Sequence, residues 1–172
     1  MIPYLEMDAA MSDDGLYRYW LSRRLSAGDR TILFVGLNPS TADGRADDPT
    51  IRRMAGFARA WGYNWLMVGN VNAWRSPDPT QLPADPLTAV GLPNVEVLTW
   101  MAQRAEVVVA AWGRHPLNSY AAMLAAWIMA LPHAQCLGCN ANGTPRHPLY
   151  LPATTRLEVV IAHGPRDASS RG

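Results

Sequence analysis

TILFVGLNPS, from Thr31 to Ser40, is the stretch that decides the fold. Thr31 to Leu37 is a continuous apolar run of strand length, and Asn38-Pro39-Ser40 then turns the chain into a polar loop. A strand without polar alternation needs cover on both faces, which is the situation of a parallel strand between two layers of helices. The pattern recurs downstream in Trp65 to Asn70, in Val107 to Ala111 and, more briefly, in Cys136 to Gly138. Helices fill the intervals. Asp48 suits a cap and Pro49 a first turn, and Ile51, Met54, Ala55, Ala58 and Trp61 share one face before Gly62 stops the helix. Asn94 to Arg104 turns Val97, Leu98 and Met101 inward, and Asn118 to Leu131 is a long Ala/Met/Leu/Trp helix. Strand, loop and helix alternate, so the expected architecture is α/β: a three-layer α/β/α sandwich around a central four-stranded, mostly parallel sheet.

Upstream, LYRYWLSRRL (Leu16 to Leu25) has near-helical apolar spacing and reads as a lead-in helix or an edge strand, closed by Ala27-Gly28-Asp29. Ser76 to Pro93 holds most of the proline and reads as an extended connection. The length of 172 residues suits one domain, 1–172, with about 1–15 peripheral and 163–172 frayed, the fraying setting in from Ala162. Being 49% hydrophobic and 17% charged, the chain is no disordered tail. Cys136 and Cys139 are too close together to staple distant parts of the fold. No apolar run approaches the ~18 to 20 residues of a spanning helix, and Met1 leads straight into Ile2, Pro3 and Tyr4 without a signal-peptide pattern. The expectation is a soluble, cytoplasmic protein with no membrane partner. A formal net charge of +1 provides no global basic field, so any nucleic-acid contact is local. All fifteen positive side chains are arginine, which a GC-rich codon bias accounts for. The absence of lysine excludes a lysine Schiff base, a lysine nucleophile and a Walker-type phosphate lysine.

In open parallel sheets ligands collect outside the carboxyl ends of the strands. Those ends here carry Gly36 to Ser40, Asn70 to Arg75, Trp112 to His115 and Arg146 to Tyr150. Gly36 admits close backbone approach, Pro39 stiffens the loop, and the Asn38 amide both donates and accepts, so it can position a water. Asn70 could read one donor and one acceptor on a flat heterocycle; either asparagine could equally close a turn. In Arg146-His147-Pro148-Leu149-Tyr150 an imidazole could stabilise charge on a leaving group, while arginine and tyrosine hold a phosphate and a stacked ring. A loop histidine is as readily structural or exposed, which is how His115 and His163 are read. The Asp43 carboxylate could activate the water held by Asn38, whereas Asp47 and Asp48 read as capping or solvated-loop residues. His133, Cys136 and Cys139 have superficially metal-like spacing, with His147 beyond, but do not supply four ligands held close; no metal and no cofactor is expected. Trp20, Trp61, Trp65, Trp100 and Trp127 read as core anchors, and Trp74 and Trp112 lie near strand ends.

The segments LNPSTADGRADDPTIRRMAGFARAWGY, NVNAWRSPDP, VVVAAWGRH and LGCNANGTPRHPLYLP resemble domain-of-unknown-function family 1643, over about Tyr17 to Pro152. That family carries no assigned function. More remotely, the strand ends resemble the uracil-DNA glycosylase superfamily. Gly36-Leu37-Asn38-Pro39-Ser40 is similar to the Gly-Ile-Asn-Pro-Gly motif of the mismatch-specific and thymine-type glycosylases. This resemblance implies that Asn38 positions the attacking water and that Asn70, in Asn70-Val71-Asn72-Ala73-Trp74-Arg75, reads a pyrimidine edge. His147-Pro148-Leu149 is similar to the start of a His-Pro-Ser-Pro-Leu motif whose histidine bonds the base carbonyl as the glycosidic bond breaks. Ser40 stands where the motif has its second glycine, the serine-proline of the intercalating loop is missing, and so are the four cysteines of the iron-sulfur members.

The leading expectation is a DNA glycosylase-like enzyme that hydrolyses the N-glycosidic bond of uracil or a modified pyrimidine, with DNA or a pyrimidine nucleotide as partner. Asn38, His147 and Asp43 are its catalytic candidates. Gly36, Leu37, Pro39, Ser40, Asn70, Asn72, Trp74, Arg75, Arg146, Pro148 and Tyr150 are its binding candidates, although Arg75 could simply pair with Asp78. A transferase that modifies a nucleobase in the same pocket is one alternative. A module that senses a modified base without chemistry is the other.

Overall fold

The computed structural model describes residues 3–160. In chain order these form β1 (Glu6–Met11), β2 (Arg18–Arg24), β3 (Thr31–Gly36), α1 (Pro49–Ala60), β4 (Trp65–Asn70), α2 (Pro86–Val90), α3 (Asn94–Ala102), β5 (Val107–Ala110), α4 (Ser119–Met129), β6 (Ala134–Cys136) and β7 (Glu158–Val159). Single turns of 3-10 helix occupy Pro79–Gln81 and Pro148–Tyr150. The strands make one mixed seven-stranded sheet in the order β1-β2-β4-β3-β5-β6-β7.

The strands read from the sequence form its centre, β4-β3-β5-β6, with every pairing among them parallel, although β6 ends at Cys136, the expected start of the fourth strand. The expectation of a four-stranded sheet is therefore too small. β1 and β2 extend one side and β7 the other, all by antiparallel pairing. Leu16 to Leu25 contains the strand β2, and it is not at the edge, because residues 6–11 from the stretch expected to be peripheral pair with it as β1. The near-helical spacing misled because two arginines of β2, Arg18 and Arg23, point inward and break the alternation that would mark a strand.

β3 has partners on both sides: Ile32 lies opposite Leu66 of β4 and Val107 of β5. Its side chains split between two cores. Leu33 and Val35 pack with Met67, Leu98, Met101, Val108 and Ile128 on the face covered by α3 and α4. Ile32 and Phe34 pack with Ile51, Met54, Phe57, Leu66 and Val109 on the face covered by α1. Helix α3 comes so close to the sheet that a Cβ on Gly69 would stand 2.6 Å from Leu98 Cδ2 and 2.7 Å from Met101 Cε. The chain leaves β3 for α1 on one face and leaves neighbouring β5 for α4 on the other. Adjacent connections that diverge in this way open a crevice beyond the strand ends.

Arg23 ties β2 to the loop before α1. It is fully buried, pairs with Asp47 at 2.8 Å, and donates to the carbonyls of Asp8, Ser22, Asp43 and Ala46. The Ser76 to Pro93 connection is not simply extended. Asp78 and Asp85 each precede a proline and accept a backbone N–H two or three residues on, so two short helical turns interrupt it. Trp100 is not a core anchor: it is 45% exposed, with the Arg104 guanidinium 4.4 Å from its ring centroid. Trp20, Trp61 and Trp127 pack at the core margins, and Trp65 is covered by Arg24. The segment read as frayed, with His163, lies outside the described residues. Among the described residues no helix is long and apolar enough to cross a membrane.

Candidate functional site

A cavity of about 590 Å³ opens at the carboxyl ends of the parallel strands. Its walls come from the loop after β3, the end of β4, the loop after β5, the segment around His147, and the first turn of α1. The volume lies within the range of roughly 300–1,000 Å³ typical of small-ligand sites.

Asn38 lines the cavity, and its Nδ2 donates to the carbonyls of Pro39 at 3.0 Å and Ser76 at 2.8 Å. Both amide hydrogens are thereby used in holding the loop. Oδ1 has no partner among the described residues and remains an acceptor. Asn70, at the end of β4, is locked in the opposite sense. Its Oδ1 accepts from Arg18 Nη2 at 3.3 Å, and its Nδ2 has no partner among the described residues. That Nδ2 lies over Gly36, where a Cβ would come within 2.7 Å of it, so a side chain there would push the amide out of place. One amide thus offers an acceptor and the other a donor.

Gly36, Leu37, Ser40, Arg146 and Tyr150 also line the cavity, Tyr150 at the rim with 87% exposure. Pro39 is buried behind the loop, where its carbonyl accepts from Ser76 N. Pro148 starts the turn that carries Leu149 and Tyr150. The other candidates are not brought to the cavity. Asn72 is buried, donating to the Leu37 carbonyl and accepting from Asn118, the N-cap of α4. Trp74 packs edge-on against Tyr17. Arg75 donates to the Gly15 carbonyl rather than pairing with Asp78. Asp43 closes a turn, accepting from the backbone N–H groups of Arg45 and Ala46, and those bonds hold its carboxyl below the usual range.

The carboxylate that does face the cavity is Asp48. As its place before Pro49 implies, it is a cap: Oδ1 accepts from Ile51 N at 2.9 Å. Capping at the inner end of a helix is what brings the same side chain to the site. Asp48→Ala is expected to cost about 1 kcal/mol, the ordinary loss for an N-cap, whereas Asp48→Asn keeps the cap and stays within a few tenths. Denaturant unfolding of both variants checks this, and equal losses would sink it. The other missed residue is Arg18, which enters from β2 and was hidden by the ambiguous reading of Leu16 to Leu25.

His147 Nδ1 accepts from Leu149 N at 3.4 Å, so the neutral ring carries its proton on Nε2. Burial pushes its pKa below the usual histidine value, with His115 acting in the same direction and Asp48 opposing. Folding therefore favours the neutral form, and the unfolded chain binds the proton first as pH falls. The stability contributed by neutral His147 is complete above the unfolded-state value of about 6.5 and is lost as pH drops through that value toward the folded one. Comparing wild type with His147→Gln in urea melts from pH 7.5 to 5 should show a steeper acid loss in wild type. Parallel curves would refute it.

Cys136 is buried and Cys139 exposed, and burial pushes the Cys136 thiol up to about 11. Among the described residues no group of three or more His, Cys, Asp or Glu is placed to hold a metal ion.

The family described as protein of unknown function (DUF1643) matches residues 18–149. The chain belongs to this family. The DUF1643 match begins at Arg18 itself and runs through His147, so both asparagines, Asp48 and the histidine lie inside it. No curated protein and no solved structure matches the chain.

Proposed function

We propose that this protein is a DNA glycosylase-like enzyme that hydrolyses the N-glycosidic bond of uracil or a modified pyrimidine in DNA. The observation that carries the reading is the opposed locking of Asn38 and Asn70 around one cavity. An acceptor at Asn38 Oδ1 suits a water, and a donor at Asn70 Nδ2 suits a ring carbonyl. The water adds to the anomeric carbon as the C–N bond breaks, and the bonding electron pair leaves with the base. Asp48 takes the water's proton, and His147 Nε2–H donates to the oxygen on which charge develops. Among the three catalytic candidates Asp48 takes the place of Asp43, and among the binding candidates Asn72, Trp74 and Arg75 drop out.

Two cores on opposite faces of a parallel centre support the finer architecture, a three-layer sandwich of the uracil-DNA glycosylase type. A cytoplasmic setting goes with DNA as substrate and with two free thiols. Mass spectrometry of single- and double-stranded oligonucleotides carrying uracil, hydroxymethyluracil or other modified pyrimidines tests the reading. Loss of a base with wild type supports it. A gain in mass with glycosidic bonds intact would transfer the site to nucleobase modification, and inert DNA that binds in a base-dependent way would make it a sensor.

A further inference from the structure

β2 carries two arginines buried almost completely, and they differ in how their charge is met. Arg23, 0% exposed, has an ion-pair partner in Asp47 and four carbonyl acceptors. Arg18, 2% exposed, has no carboxylate within ion-pair distance among the described residues. Of its five N–H donors one is given to the Ala42 carbonyl at 2.9 Å and one to Asn70 Oδ1 at 3.3 Å. Nε is buried without an acceptor. A buried guanidinium left this way is costly, because it has given up hydration and the carboxylates that act on it, Asp48 first and then Asp43, form no ion pair with it. The difference between the two is position. Arg23 faces the closed loop before α1, and Arg18 faces the cavity.

We propose that Arg18, with Asn70 Nδ2 beside it, is a subsite for an oxyanion, and that the cavity takes a small ligand bearing its own anionic oxygen: a phosphate monoester or a ring carboxylate. Arg18 holds Oδ1, which leaves Nδ2 as the end of the Asn70 amide still open to a ligand, and both residues line the same cavity. Charge-assisted bonds from a guanidinium are the usual means of holding such a group. Asp48 is the single carboxylate on the wall among the described residues, against Arg18, Arg114 and Arg146, which leaves the cavity cationic. Burial lowers the Arg18 pKa to about 10, and it stays charged at neutral pH. The inference deepens the glycosidic reading by requiring a charged group next to the carbonyl that Asn70 addresses. It needs only binding, however, so it stands or falls whether or not a base is released.

Calorimetric titration of the whole chain in low-chloride buffer tests it, with three comparisons: deoxyuridine monophosphate against deoxyuridine, a pyrimidine carboxylic acid against uracil, and inorganic phosphate alone. At least one charged ligand is expected to bind about tenfold or more tighter than its neutral counterpart, and the comparison showing the gain identifies phosphate or carboxylate as the source. Arg18→Gln should abolish the preference, while the rim variant Arg114→Gln keeps it. The rim variant decides the assignment even where Arg18→Gln does not fold. Equal affinities for charged and neutral ligands, or a preference lost with a rim arginine, would overturn the proposal.

Discussion

Asn38→Ala is expected to lower base release by about 100-fold or more in single-turnover assays, the usual scale for losing the positioning of a reacting atom. The side chain does two things at once. Its Nδ2 fastens the loop after β3 to the carbonyls of Pro39 and Ser76, and its Oδ1 remains an acceptor, the one that the proposed reaction gives to water. Asn38→Asp separates them: it keeps an acceptor at Oδ1 but cannot donate to Ser76, so intermediate activity is expected. Oligonucleotide mass spectrometry over a time course measures both. An alanine variant as fast as wild type would remove Asn38 from the chemistry, and with it the observation on which the glycosidic reading depends.

Phe34→Ala should destabilise the protein by about 3–5 kcal/mol, the range for emptying a large aromatic site in a packed core. Phe34 is fully buried in the central strand, with Trp61 stacked at 6.2 Å between ring centroids and α1 packed over it. Helix α1 carries Asp48 at its first turn, so the cavity should loosen as the core does. Urea unfolding gives the stability change. Leu92→Ala, at a side chain 78% exposed, should stay within about 0.5 kcal/mol and serves as the control. A Phe34→Ala loss below about 1 kcal/mol would mean that the α1 face does not support the sheet.

The cavity depends on contacts that differ sharply in sequence separation. Asp48 reaches it by capping the helix it begins, a contact three residues long. Arg18 reaches Asn70 across 52 residues, because antiparallel β2 lies beside β4. Gly36 and Asn70 end neighbouring parallel strands in register, which is why the glycine leaves room for the amide.

Apolar runs of strand length and Asp-Pro caps are local signals, so the sequence by itself determined the parallel centre β4-β3-β5-β6, the helices between, and the end of the sheet at which the cavity opens. β4 runs from Trp65 to Asn70 as read, and α1 begins at Pro49 behind Asp48 as read. Only the tertiary structure decided what joins that centre and what faces the cavity. β1 and β7 gain strand character from pairing rather than from their own residues, and β2 hides its nature because its arginines point inward. Asn72, Trp74 and Arg75 lie one after another just past a strand end, yet their side chains turn to Leu37, Tyr17 and Gly15. Being near a strand end in sequence does not set the direction of a side chain; the hydrogen-bond partners within reach do.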